Sequence, residues 1–263
     1  MRVAAKTDIG RVREVNEDSY CAFDLSPVWS GWLFAVADGM GGYDGGEVAS
    51  ALAIMTLHDS LRAALEAWKT QAGEGAGSMQ GAAPEPGREP DLEQMLAGSF
   101  ATADAAIQEE TSKRPGIKSM GTTLTAVLAG DGQMWLAHVG DSRAYLLESG
   151  GLRQISEDHS LVGEMVKNGS LTEEEAMVHP QRNILTNALG AGADAHVDLS
   201  LVPYHPGDRL LLCSDGLTTA VPSSEIAGIL ASRPPAEAAE ALISLANERG
   251  GHDNITVLVV ELS

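Results

Sequence analysis

The sequence predicts an α+β fold, a four-layer αββα sandwich in which two antiparallel sheets are flanked by helix pairs. Three observations carry this. Apolar runs of strand length, Gly121–Ala129, Gln133–Val139 and Ser142–Glu148, are joined at Gly130-Asp131-Gly132 and Gly140-Asp141, as consecutive antiparallel strands are. The runs Trp32–Ala37 and Asn254–Leu262 are apolar on both faces, so each needs cover on both sides. Two pairs of long helical stretches, about 45–69 with 91–113 and 223–231 with 236–249, can supply the outer layers.

Taken in order, Val3–Thr7 is a short strand, and a charged connection Gly10–Asp18 leads to a second, Ser19–Asp24. After Pro27 and Gly31, Trp32–Ala37 is the third. Asp38 follows, and five glycines between Gly39 and Gly46 lead into a helix, with Asp44 and Glu47 spaced as a capping box. Ile54, Leu57, Leu61, Leu65 and Trp68 repeat at spacings of three and four along it. Residues 70–90 lack periodicity and large apolar groups, too few to offset ordering entropy, and are expected to form a mobile loop inside a single domain spanning 1–263. Leu92, Met95, Leu96, Phe100 and Ile107 mark the next helix. Residues 156–190 are a helical excursion suited to a substrate flap: Ser160 caps a helix ending before Gly169, and Thr172 with Glu175 forms a capping box for a shorter one. Strands Val197–Val202 and Arg209–Ser214 precede the last two helices, the second opened by Pro235 and closed by Gly250-Gly251.

At 263 residues and 44% hydrophobic content the chain can bury one substantial core. No stretch reaches 18 consecutive apolar residues and no apolar segment follows Met1, so a cytoplasmic protein away from membranes is expected. Cys21 and Cys213 lie far apart in apolar segments, which reads as two buried thiols rather than a disulfide framework. No CxxC or HxH spacing offers a zinc site. The formal net charge of −20, from 37 acidic and 17 basic side chains, repels nucleic acid and anionic lipid.

Asp38, Asp141 and Asp215 each end an apolar strand, and Asp253 begins another. Alternating strand direction can bring all of them to one rim. Like charges that close force one another to protonate unless a cation intervenes. All-oxygen ligands suit hard ions such as Mn2+ or Mg2+, and a pair of them about 3.5–4 Å apart can activate water and polarise a phosphoryl group. Gly39, with no side chain, can turn its carbonyl toward an ion. Cys213 is rejected as a nucleophile, since it sits in an apolar strand with no anion-cradling loop after it.

The set Arg13-x-x-Asn-Glu-Asp18, Asp38-Gly-Met-Gly-Gly, Gly121-Thr-Thr, Gly140-Asp-Ser-Arg-Ala-Tyr145, Asp158-His-Ser, His179-Pro-Gln-Arg-Asn, Ser214-Asp-Gly-Leu217 and Asp253-Asn-Ile-Thr256 resembles the bacterial type 2C metal-dependent protein serine/threonine phosphatases, in order and over nearly the whole chain. The resemblance implies that Asp38 bridges two Mn2+ or Mg2+ ions, with a water between them as nucleophile. It implies that Asp215 and Asp253 complete one ion's shell, while the Gly39 carbonyl and water-mediated contacts from Glu17 and Asp18 serve the other. Asp141 with Asp215 matches a third metal position in bacterial members. Arg13 would bind the substrate phosphate through its planar fork. Met40 stands where animal members carry a histidine general acid, which leaves proton delivery to a metal-held water or, as second choice, to His159. The implied function is hydrolysis of phosphoserine and phosphothreonine on proteins by a monomer opposing a serine/threonine kinase. The alternative is a non-catalytic phosphoprotein-binding regulator on the same fold.

Overall fold

The computed structural model describes residues 1–26, 28–41, 45–74, 89–117, 119–192 and 195–263. In chain order it begins β1 (Arg2–Asp8), β2 (Asp18–Asp24), β3 (Trp32–Gly41), α1 (Gly45–Glu74) and α2 (Leu92–Lys113). A run of strands follows: β4 (Met120–Thr122), β5 (Leu124–Gly130), β6 (Gln133–Val139), β7 (Arg143–Glu148) and β8 (Gly151–Gln154). After α3 (Leu161–Lys167) and α4 (Glu173–Met177) come β9 (Asp198–Pro203), β10 (Arg209–Cys213), α5 (Asp215–Thr218), α6 (Ser223–Ser232), α7 (Pro235–Glu248) and β11 (Ile255–Glu261). One sheet has the order β1-β11-β10-β7-β8, the other β2-β3-β5-β6-β9 with β4 paired to β3, and every pairing described is antiparallel.

Side-chain alternation along the strands builds the four layers. On β3, Phe34 and Val36 point between the sheets, while Leu33, Ala35 and Ala37 pack beneath Leu57, Leu61, Leu96 and Phe100 of α1 and α2. On β10, Leu210 and Leu212 enter the inter-sheet layer, while Leu211 and Cys213 meet Ile226, Leu230, Leu242 and Ile243 of α6 and α7. On β11, Leu258 and Val260 face in, and Val257 and Val259 face the helices. Strands apolar on both faces are therefore the ones covered on both faces, as the sequence required. Each fully buried aliphatic or aromatic side chain contributes about 1.5–3 kcal/mol.

The local signals recur. Asp91 caps α2 by accepting from Gln94 N–H at 3.0 Å, Ser160 caps α3 by accepting from Gly163 N–H at 3.1 Å, and Thr172 and Glu175 form the capping box of α4. Four features differ from expectation. The run Gly121–Ala129 is two strands, broken at Thr123, because β4 leaves β5 to pair with the end of β3. Strand β3 itself runs past Asp38 to Gly41 for the same reason. Strand β8 and the single turn α5 are new, each too short for periodicity to reveal. Helix α1 continues to Glu74, so the first part of the stretch expected as a loop is helical; 75–88 and Asp44, hence its capping box, lie outside the described residues.

Leu212→Ala tests the inter-sheet layer: Leu212 is 0% exposed, and its truncation is expected to cost about 2–5 kcal/mol in urea denaturation. A loss under about 1 kcal/mol would mean the sheets do not pack there as described.

Candidate metal centre

The inter-sheet layer changes character at one end. Continuing each strand's inward-facing alternation by two residues, β1 goes from Val3 and Ala5 to Thr7, β3 from Phe34 and Val36 to Asp38, and β10 from Leu210 and Leu212 to Ser214. β11 enters through Thr256 before Leu258, β5 through Thr125 before Val127, and β6 leaves Leu136 at His138. These groups satisfy one another, two pairs within a sheet and one between the sheets. Thr7 and Thr256 share a hydroxyl hydrogen bond of 2.8 Å, Ser214 Oγ donates to Asp18 Oδ2 at 2.7 Å, and Thr125 Oγ1 lies 2.9 Å from His138 Nδ1. Burial, and then neighbouring His159, push the His138 imidazole down to about 4, so it is neutral and structural.

Asp38 stands in the middle of this seam. It is the cross-strand partner of Asp18. Its N–H donates to Thr123 Oγ1, and its carbonyl accepts from Thr122 Oγ1 and from the Thr123 N–H, all at 2.9 Å. The break between β4 and β5 thus exists where two threonines hold the Asp38 backbone. Gly39 follows because nothing larger fits: a Cβ there would stand 2.0 Å from the Gly46 carbonyl oxygen and 2.6 Å from that of Glu17. Asp215 opens α5, whose Gly216 is pressed against the Asn254 carbonyl, where a Cβ would meet the oxygen at 2.1 Å. Asp253 Oδ1 accepts from the Asn254 N–H at 2.8 Å, and its Oδ2 from Arg13 Nη2 at 2.7 Å. Asp141 sits in the turn after Gly140.

The carboxylates crowd electrostatically. Asp38 lies well above the usual carboxylate range, first because protein encloses it and then because Asp18, Asp215, Asp141 and Asp253 repel its charge. Enclosure pushes Asp18 up to about 7 against the opposing pull of Ser214, and Asp215 up to about 6, with Asp253 adding to the rise. Asp141 is likewise raised well above its ordinary value, by enclosure and then by Asp215 and Asp158. Asp38, Asp141 and Asp215 each keep some surface open to solvent, yet the dense protein around them withdraws most of their hydration. Among the described residues, no three His, Cys, Asp or Glu side chains close in far enough to cage an ion as they stand. Repulsion between the acids and the hold of Arg13 on Asp253 both act in that direction. The donor set nonetheless fits a hard cation: it is all oxygen, and Asp18 Oδ1 is buried with no hydrogen-bond partner, an acceptor that costs about 1–3 kcal/mol until something fills it.

Asp18, Asp38, Asp141, Asp215 and Asp253 are therefore brought to one rim, with Arg13 and Gly39 beside them. His159 is elsewhere engaged: its Nδ1 accepts from the Gly140 N–H at 3.2 Å and faces Asn187 Nδ2 at 3.0 Å, and its Nε2 lies 3.1 Å from Asp198 Oδ2. It holds the turn of Asp141 and has no ring N–H left to offer a leaving group. Burial pushes the Cys213 thiol up to about 12, in keeping with its rejection as nucleophile. Reading motifs alone, we missed the work of Thr122, Thr123, Ser214 and Asn254, although a signal existed: polar residues at the inward-facing positions of strands that are otherwise apolar.

Residues 11–250 match the family model described as Protein phosphatase 2C. The chain is 40% identical over 265 residues to the serine/threonine phosphatase stp of Listeria monocytogenes, covering 99% of this chain and 96% of that one. It belongs to the protein phosphatase 2C family. Another member, the serine/threonine protein phosphatase PstP of Mycobacterium tuberculosis, is 39% identical over 262 residues, all of this chain but 45% of that protein's length. A crystal structure of the PstP phosphatase superposes with a TM-score of 0.81, covering 100% of this chain and 98% of that one. The catalytic domain of PstP in complex with two manganese ions superposes with a TM-score of 0.77 at 37% identity, over 98% and 96% of the two chains.

The raised acids set a pH dependence. An unfolded aspartate titrates near 3.9, so between about pH 4 and 7 the native, metal-free protein holds protons on Asp18 and Asp215 that the unfolded chain has lost. Stability present at pH 4 is lost as pH rises through about 6 and 7. After chelation the melting temperature is expected to be higher at pH 5 than at pH 8, and Mn2+ to restore it at pH 8. A chelated protein equally stable at both would contradict the clustering.

Proposed function

We propose that the chain is a metal-dependent phosphoprotein phosphatase that hydrolyses phosphoserine and phosphothreonine, with residues 1–263 as one catalytic domain. The observation that carries this reading is the rim of mutually repelling aspartates, with the orphaned Asp18 oxygen among them and Arg13 at its edge. A phosphoprotein-binding regulator would have no use for that set of acids, so catalysis is the better account.

Asp38 would hold both Mn2+ or Mg2+ ions of the core, Asp215 and Asp253 one of them, and the Gly39 carbonyl the other, with Glu17 and Asp18 acting through water. Asp141 and Asp215 would hold a third. When bound, the ions supply Lewis acidity, lowering the pKa of water and polarising the phosphoryl group. The chain's own part is to fix the carboxylates by the Thr122, Thr123 and Ser214 hydrogen bonds, so that little reorganisation accompanies reaction. Arg13, half-exposed and drawn upward in pKa by its hydrogen bond to Asp253, stays cationic and presents a planar fork to a phosphate dianion. Met40 carries no titratable proton, so the proton for the leaving alkoxide would come from water at the rim.

The substrates are phosphorylated proteins, among them a serine/threonine kinase that the enzyme opposes. The charge of −20 disfavours nucleic acid as a substrate or partner. No described helix is long and apolar enough to cross a membrane, and we place the protein in the cytoplasm, acting as a monomer.

Asp38→Asn is expected to abolish Mn2+-dependent release of phosphate from a phosphopeptide and to weaken Mn2+ binding in calorimetry; unchanged turnover would overturn the mechanism. Arg13→Lys keeps the charge but not the fork. It is expected to raise KM for a phosphopeptide about tenfold, with a smaller change in kcat, as measured in steady-state assays.

A further inference from the structure

The geometry points to Asn254 as the positioning residue that sets the reach of Arg13 toward phosphate, an inference resting on the phosphate role given to Arg13 above. Asn254 is 2% exposed, immediately after Asp253 and before β11. Its side chain is spent entirely on the loop between β1 and β2, on whose crest Arg13 stands. Nδ2 donates to the Ile9 carbonyl at 3.0 Å and to the Val15 carbonyl at 2.9 Å, and Oδ1 accepts from the Glu17 N–H at 2.8 Å. One amide therefore grips both ends of the loop. An aspartate would lose both donors, and an aliphatic residue would remove this partner from three backbone groups, the Ile9 and Val15 carbonyls and the Glu17 N–H.

The rest of the loop is held independently. Arg11 N–H donates to the Gly251 carbonyl at 2.7 Å, and Gly10 N–H to Asp8 Oδ1 at 2.9 Å. These fix the first turn, but not the stretch from Val12 to Val15 that aims the guanidinium. The Asn254 backbone N–H fixes Asp253 through Oδ1, a bond that any residue but proline at 254 retains. A side-chain substitution thus acts on the loop of Arg13 while the carboxylate of Asp253 keeps its anchor. In geometry the amide is a spacer that holds Arg13 at a set distance from the acidic rim, so that it can exchange Asp253 for a phosphate.

The test is a double-mutant cycle on the Mn2+-loaded protein with inorganic phosphate as the probe, read as its inhibition constant against a phosphopeptide, alongside hydrogen exchange of residues 9–17. Asn254→Ala is expected to weaken phosphate about tenfold, to raise KM more than it lowers kcat, and to speed exchange at the Glu17 amide. In the Arg13→Ala background the same change is expected to have no further effect on phosphate, because the group it aims is gone. If Asn254→Ala gives no folded protein, Asn254→Ser, which can still donate to one carbonyl, carries the cycle with a smaller shift. An equal loss of phosphate affinity in both backgrounds would place the effect in the metal site or the whole fold and overturn the proposal. So would undiminished phosphate inhibition in Asn254→Ala while Arg13→Ala weakens it. If Arg13→Ala itself leaves phosphate inhibition unchanged, the role of Arg13 falls, and this proposal with it.

Discussion

Repulsion among Asp18, Asp38, Asp141, Asp215 and Asp253 is the constraint on which the rest depends. Two like charges about 4 Å apart repel by about 4 kcal/mol at an effective dielectric constant of 20, so a fold that gathers five carboxylates must spend much of its design on holding them in place. Protons relieve the strain at low pH and hard cations relieve it at neutral pH. The chain's own contribution is the Arg13 guanidinium on Asp253 and, acting on Asp141 and Asp215, that of Arg143, which together offset part of the cluster and leave the rest to be compensated from outside.

The sandwich supplies the restraint. Its two sheets share an apolar layer that ends, at one level on strand after strand, in hydroxyls, an imidazole and carboxylates. Asp38 is held through its backbone by Thr122 and Thr123, Asp18 through its carboxylate by Ser214, and Asp253 by the N–H of its neighbour. Glycines at 39 and 216 let a strand and a helical turn approach other backbone closely enough for these bonds to form. The apolar layer behind the rim keeps solvent from screening the acids, which is why the proton affinities of Asp18, Asp38, Asp141 and Asp215 rise and why the affinity of the rim for a divalent ion should be high.

Much of this was legible in the sequence. Strands apolar on both faces required a layer on each side, and helix caps at Ser160 and Thr172 fell where expected because capping is decided within four residues. The acids were found because each interrupts or borders an apolar run. Strand β8 and the turn α5 were too short to show a period, and the split between β4 and β5 depends on pairing with the far end of β3, which no local pattern encodes. Ser214 and Asn254 stood inside recognised motifs with no role attached, since their work is to bond residues some 200 or more positions away. The single period-two rule that connects Thr7, Asp38, Ser214 and Thr256 could have exposed the seam.

Anomalous diffraction from crystals grown with Mn2+ tests the central claim most directly, because it locates the ions without reference to activity. The account predicts two peaks about 3.5–4 Å apart with Asp38 between them, Asp215 and Asp253 on one, and Arg13 released from Asp253 or sharing it. Manganese bound elsewhere, or a saturating concentration that leaves the rim without a peak, would contradict it.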